Sequence, residues 1–358
     1  MFRSFKQHPG SPSASNANRR LFKPSALLLT VGLGLGVALS SCTPNSSTNQ
    51  SSTPPDASPV SSSNPTQGAQ KNLVRIGYQK YGTLFILKAR GSLDDRLKSQ
   101  GLSVQWLQFP AGPQMLEALN AGSIDYGSTG ETPPIFAQAA GAPLVYVANE
   151  PEDPTGEAIL VAKNSSIQTV ADLKGKKVAL NKGSNVHYLL VRALEKAGLK
   201  YSDIQTSYLT PADGRAAFEK GDVDAWVIWE PYLTVAKKAL GARVLQDGKG
   251  LVANRQFYLA AKPLTEQYPD RLKTIIEETQ KVDEWTKANP EEAAKILSPQ
   301  IGIDVATLTE ILKGRPFDIQ HPVQPDVVAY QQQIADSFVK LGLVPKPITV
   351  KDVAQAPK

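Results

Sequence analysis

The chain has 358 residues, 41% of them apolar, which suffices for one large or two medium domains with real cores and excludes a disordered protein. Its formal charge is +6, but Arg3, Lys6, Arg19, Arg20 and Lys23 stand in the first 41 residues without a single acid, and the remainder carries only +1. That balance gives no electrostatic footprint for nucleic acid.

The basic leader runs into an apolar stretch over 26–39, too short to span a bilayer comfortably, and reads as a secretory signal. It closes on Leu39-Ser40-Ser41-Cys42, where small residues precede a cysteine as in a bacterial lipobox. Cys42 is the single cysteine, so it has no internal disulfide partner, and a lipid thioether accounts for a thiol in an oxidising compartment. The expectation is a lipoprotein signal peptide over 1–41 and a periplasmic chain held to the membrane through Cys42. Arg19-Arg20-Leu21-Phe22 also has the form of a twin-arginine signal, with Lys23 where a second apolar residue is usual, so the export route stays open. The glycines at 32, 34 and 36 mimic a dinucleotide fingerprint, but no strand precedes them.

From 42 to 72 Ser, Thr, Asn, Pro and Gln dominate, with Val60 the only large apolar residue, and the composition predicts a disordered tether. Folded sequence starts at Val74-Arg75-Ile76-Gly77-Tyr78. Predicted strands at 74–78, 103–108, 124–127, 144–148, 158–162, 177–180, 205–209, 224–228 and 256–261 alternate with helices at 83–99, 112–121, 133–140, 185–197, 212–220 and 231–239. This alternation predicts α/β units with largely parallel sheets. Helices alone follow, at 264–288, 291–298, 304–313 and 324–341. The expected organisation is lobe 1 over 73–155 and 258–346, lobe 2 over 156–257, a ligand cleft between them, and a C-terminal tail over 347–358.

Open α/β sheets bind ligands beyond the carboxyl ends of their strands, so the informative segments are the turns there. The first is Gln79-Lys80-Tyr81-Gly82-Thr83, where Thr83 is a candidate N-cap and the helix start suits an anion; an ordinary strand-to-helix turn reads the same way. The second is Gly127-Ser128-Thr129-Gly130, whose glycines let the backbone fold tightly and whose hydroxyls offer donors, since Pro133 and Pro134 remove N–H groups from the next helix. In the third, Gly183-Ser184-Asn185, no proline removes a donor. His187 just beyond reads as a first-turn surface histidine. The fourth ends at Trp229-Glu230, where an indole at the strand end can cover an organic tail. Trp226, inside that strand, reads as core. Phe257 and Tyr258 are candidates for the opposite wall, with strand-core packing the default.

With only His8, His187 and His321 and no second cysteine, the sequence offers no metal-binding cluster and calls for no cofactor. No nucleophile stands beside a base at a telling spacing, so an enzyme is not expected.

Together these segments resemble the aliphatic-sulfonate-binding proteins of ABC importers. The resemblance is carried by FPAGPQMLEALN at 109–120, GSTG at 127–130 continuing as PPIFAQAAGA at 133–142, VADLKGKKVA at 170–179, YLTPAD at 208–213 and WVIWEPY at 226–232. It implies a type II periplasmic-binding-protein fold, two α/β lobes closing on a small organic sulfonate, and delivery by a monomer to a permease with its ATPase. Glu131 and Glu230 stand where many members have aspartate, which leaves taurine, nitrate or another small organic anion as alternatives. The expected anion site gathers Ser128, Thr129 and Ser184 with the side-chain amide of Gln79. A thiamine-pyrimidine synthase of the same fold would want a cysteine-rich segment, and the sole cysteine precedes the folded part.

Overall fold

The computed structural model describes residues 72–354. The signal segment, Cys42 and all but the last residue of the tether lie outside the described residues.

A first α/β stretch contains β1 (Leu73–Tyr78), α1 (Thr83–Arg90), α2 (Ser92–Lys98), β2 (Ser103–Gln108), α3 (Gly112–Asn120), β3 (Tyr126–Gly130), α4 (Pro133–Ala139) and β4 (Leu144–Glu152). A second contains β5 (Glu157–Val161), β6 (Lys177–Leu180), α5 (Asn185–Lys196), β7 (Gln205–Tyr208), α6 (Pro211–Lys220), β8 (Ala225–Trp229), α7 (Tyr232–Leu240) and β9 (Arg243–Asp247). The chain then continues as β10 (Arg255–Ala261), α8 (Lys262–Gln267), α9 (Pro269–Ala288), α10 (Pro290–Ile301), α11 (Val305–Gly314) and α12 (Pro325–Lys340).

The strands form two sheets of five, ordered β2-β1-β3-β10-β4 and β7-β6-β8-β5-β9. β10 and β5 each run antiparallel to both neighbours, so each sheet is mixed. In both, the chain moves outward from one strand (β1 to β2, β6 to β7) and then returns to its other side (β3, β8). That reversal opens a crevice at the carboxyl ends of β1 and β3, and of β6 and β8. Side-chain chemistry follows the order: central β5 is buried at all five residues and β8 at all but Trp229, while edge strands β2 and β7 keep polar, exposed positions.

The chain leaves the first sheet after Glu152 and re-enters it at Arg255, three residues before the expected boundary at 258. The last helix then runs behind the cleft. Phe338 of α12 packs with its ring centroid 5.0 Å from Phe136 of the first lobe and 5.2 Å from His187 of the second. Its neighbours Ile135, Val186 and Leu189 belong to the same apolar cluster, so one core crosses the lobe boundary. On α7, Lys238 Nζ reaches Glu310 at 2.6 Å and Thr307 Oγ1 at 3.1 Å on α11, a second tie between the lobes.

Several elements differ from expectation for local reasons. The helix predicted over 83–99 is broken at Gly91, whose φ of 72° cannot continue a helix and whose N–H closes the first one on Leu87 and Lys88 carbonyls. That over 264–288 is interrupted at Tyr268, ahead of Pro269. β9 was not expected: its RVLQD is a polar edge that pairs only with β5. The expected tail is packed as far as 354: Val350 is fully buried, and its N–H donates to Gln332 Oε1.

Candidate functional site

A cavity of about 330 Å³ lies between the lobes. It is lined by strand ends and the segments that follow them: Gln79 to Gly82 beyond β1, Gln108, Phe109, Pro110 and Gly112 at and beyond the end of β2, Gly130 and Pro133 at and beyond that of β3, Ser184 and Asn185 beyond β6, and Trp229 to Tyr232 at and beyond that of β8. Asp153, Gly156 and Asn254 come from the segments crossing between lobes. Glu150, Gln256, Ile301, Ile303 and Arg315 complete the wall.

Each of those strand-end segments opens a helix, so the amino ends of α1, α3, α4, α5 and α7 converge on one space. Gly82, Ala111 and Ser184, which precede α1, α3 and α5, make no side-chain cap. The N–H groups of Thr83, Leu84, Gly112, Gln114, Asn185 and Val186 have no hydrogen-bond partner among the described residues. α4 adds little, because Pro133 and Pro134 have no N–H. α7 is already served: Glu230 accepts from Thr234 N at 3.1 Å and Thr234 Oγ1 at 2.7 Å. Of the residues with free N–H groups, Gly112 and Asn185 line the cavity, and Thr83 and Leu84 directly follow Gly82, which does, so three helix starts with free donors border the space, which suits an anion.

Of the residues singled out from sequence, Gln79, Gly82, Gly130, Ser184, Asn185, Trp229 and Glu230 line the cavity. Gln79 Nε2 donates to the Ser128 carbonyl at 3.2 Å. Ser184 Oγ donates to the Asn181 carbonyl at 2.7 Å. Gly130 lets the lobes approach, since a Cβ there would stand 2.9 Å from Asn185 Cβ.

The other five do not line it. Gly127 lies against Met115, where a Cβ would come within 2.6 Å of its sulfur. Ser128 and Thr129 belong to β3 itself, opposite Tyr258 and Phe257; Ser128 Oγ accepts from Gln256 Nε2, and Thr129 is fully buried. Thr83 is also buried, its hydroxyl between Glu150 and Asp283, and is not an N-cap. Gly183, beside the Phe136 ring, donates its N–H to His187 Nδ1 at 3.1 Å. His187 is thus a core residue and not a surface one; burial and the nearby Lys182 charge push its imidazole down to about 3. Phe257 and Tyr258 are core as well, and Trp226, at 1% exposed, is where it was expected.

Sequence reasoning missed the one buried guanidinium of the cavity, Arg315, which is paired with Glu150. It also missed the amides of Gln108, Asn254 and Gln256 and the apolar side chains of Ile301 and Ile303. Burial pushes the Asp153 and Glu230 carboxyls up, and neither makes an ion pair within the described residues. Among those residues no three His, Cys, Asp or Glu side chains gather as a metal site, and no helix is long and apolar enough to cross a membrane.

Comparison with known proteins gives consistent matches. The family described as NMT1/THI5 like matches residues 97–293. The aliphatic sulfonates-binding protein of Escherichia coli (strain K12) is 50% identical over 279 residues, covering 78% of this chain and 87% of that one. Among solved structures, the periplasmic aliphatic sulphonate binding protein SsuA from Escherichia coli is 48% identical with a TM-score of 0.73, covering 80% of this chain and 93% of that one. The alkanesulfonate-binding protein SsuA from Xanthomonas axonopodis pv. citri, bound to MOPS, is 40% identical with a TM-score of 0.76, covering 79% and 97%.

Glu131 stands behind the cavity wall, fully buried, with Oε2 accepting from Arg255 N at 3.1 Å and Oε1 unpartnered. Burial pushes its carboxyl from 4.5 up to about 7, and its charge in turn helps burial hold Glu157 well above the usual range. The unfolded chain releases the Glu131 proton near 4.5 and the folded chain only near 7, so stability falls as pH rises through that window. Glu131→Gln removes the titration, and urea unfolding between pH 4.5 and 8 should become flatter by about 2–3 kcal/mol. A variant whose stability follows pH as steeply as the wild type contradicts this account.

Proposed function

The chain belongs to the NMT1/THI5-like family and to its aliphatic-sulfonate-binding members, and from that premise we propose that it is the substrate-binding component of an ABC importer. In this reading it captures alkanesulfonates in the periplasm as a monomer and delivers them to a permease with its ATPase for sulfur acquisition. The observation that carries it is the convergence of free helix amino ends on one cavity beside an indole.

The magnitudes explain why the ligand needs a tail. A helix end contributes up to ~2 kcal/mol to a partly buried anion. Three of them fall short of the ~8 kcal/mol of a micromolar ligand. Burial of the tail against Trp229, Ile301 and Ile303 adds about 0.8 kcal/mol for each methylene. Sulfate has no tail and carries a second charge, and is a poor fit beside Asp153 and Glu230.

Those two carboxylates favour a second reading, an amino-sulfonate of the taurine type whose ammonium would balance them. Ethanesulfonate and taurine differ only by that ammonium, so the pair separates the two readings.

The lipid anchor at Cys42 belongs to the same proposal: it keeps the binding protein near its permease, and is supported by the Leu39-Ser40-Ser41-Cys42 motif. Mass spectrometry of the exported protein should find a mature chain that starts at an acylated Cys42; another start with an unmodified thiol sinks the anchor.

Thermal-shift measurements with ethane-, butane- and hexanesulfonate, taurine, nitrate and sulfate test the binding, because a ligand stabilises by RT ln(1 + [L]/Kd). The alkanesulfonates should raise the midpoint, more so with each longer chain that still fits, and sulfate should leave it unchanged. Trp229→Ala should flatten the dependence on chain length. A wild type stabilised by sulfate or nitrate and by no sulfonate defeats the reading, and an equal loss for every chain length in the variant removes Trp229 from the tail site.

A further inference from the structure

The cavity contains one cation that the strand-end turns do not supply. Arg315 follows α11, and its side chain is 9% exposed beside Glu150 at 5%. Resting on the reading of this cavity as an anion site, we propose that Arg315 is the charged anchor of the ligand's head group, with Glu150 as its positioning residue.

The guanidinium is divided between two tasks. Nη2 donates to Glu150 Oε2 and, at 3.4 Å, to Thr83 Oγ1, and the guanidinium also interacts with the Tyr81 hydroxyl. Nη1 faces the start of α1, where a Cβ on Gly82 would lie 3.6 Å from it. The free N–H groups of Thr83 and Leu84 belong to the same helix start. An oxyanion seated there meets a charged donor and two backbone donors together. A guanidinium presents planar, paired donors suited to a multi-oxygen anion.

The surroundings hold the group in place. Its carbon lies 5.5 Å from the Tyr81 ring centroid and 5.6 Å from that of Phe317. Glu150 is itself fixed by Tyr258 OH at 2.6 Å and Thr83 Oγ1 at 3.3 Å. Little conformational entropy is then left to lose when the ligand arrives.

Charge also limits what the anchor takes. Glu150 already balances one unit of Arg315, and Asp153 and Glu230 line the same cavity without a cationic partner of their own. Each negative charge on a ligand meets those carboxylates, so a doubly charged anion is penalised more than a singly charged head.

Calorimetric titration of ethanesulfonate and hexanesulfonate into the wild type, Arg315→Lys and the double variant Glu150→Gln/Arg315→Gln tests the assignment. The double variant exchanges the ion pair for two amides, which avoids an unpaired buried charge. It should lose about 10- to 100-fold in affinity by the usual scale of a charged hydrogen bond, and by the same factor for both chain lengths. Arg315→Lys, which keeps the charge without the fork, should fall between the double variant and the wild type. Affinities within about threefold of wild type in both variants, with thermal midpoints preserved, overturn the proposal. If the double variant does not fold, Arg315→Lys decides alone. A wild type that binds nitrate but no sulfonate defeats the functional reading instead, and nitrate titrated into the same variants then judges Arg315.

Discussion

The cleft depends on backbone donors that the fold leaves without partners. In each sheet the chain reverses direction between two parallel strands, and the helices that follow those strands begin around the same space. The first N–H groups of a helix have no intrahelical acceptor, and Gly82, Ala111 and Ser184 supply none from a side chain. An anion suits such donors, because the aligned peptide dipoles favour negative charge. The same constraint gives the acidic residues of the cavity their meaning. Glu230 occupies the donors of α7, and Glu150 holds Arg315, so two of the carboxylates in the wall already have structural partners.

The second feature is the continuity between lobes. Phe338 fills the space between Phe136 and His187, and the apolar cluster around it takes residues from both sheets. In front, Gly130 and Asn185 touch across the cleft, and Asn185 Nδ2 donates to Glu157 and, at 2.9 Å, to Asn254 Oδ1. The lobes are thus joined by a packed core and meet through small or amide side chains, which lets the wall of the cavity be made by both. Glu131 and Glu157, one from each lobe, bury two carboxyls at this seam, and each keeps one oxygen without a partner.

Much of this organisation was legible in the sequence. Periodicity located nine of the ten strands of the described residues to within a few residues, and the rule that ligands sit beyond strand ends pointed to cavity-lining residues at 79 and 82, 184–185 and 229–230. The failures have identifiable causes. Ending β3 at 127 and not at Gly130 turned Ser128 and Thr129 into turn residues, although they are ladder residues opposite β10. His187 looked superficial because it opens a helix, yet that helix start is covered by α12 from far along the chain. Arg315, Ile301 and Ile303 come from the all-helical segment, where no strand-end signal exists and only the tertiary fold brings them to the cavity. A buried arginine one residue past a helix looks, in sequence, like any C-terminal cation.

In the proposed complex free helix amino ends bind the anionic head while the indole covers the tail. A crystal structure with butanesulfonate bound addresses it most directly. The sulfonate oxygens should lie within hydrogen-bond distance of the N–H groups of Thr83 or Leu84 and of Asn185 or Val186, with the alkyl chain against Trp229. A sulfonate held at the exposed Lys80 and out of reach of those N–H groups would contradict this arrangement.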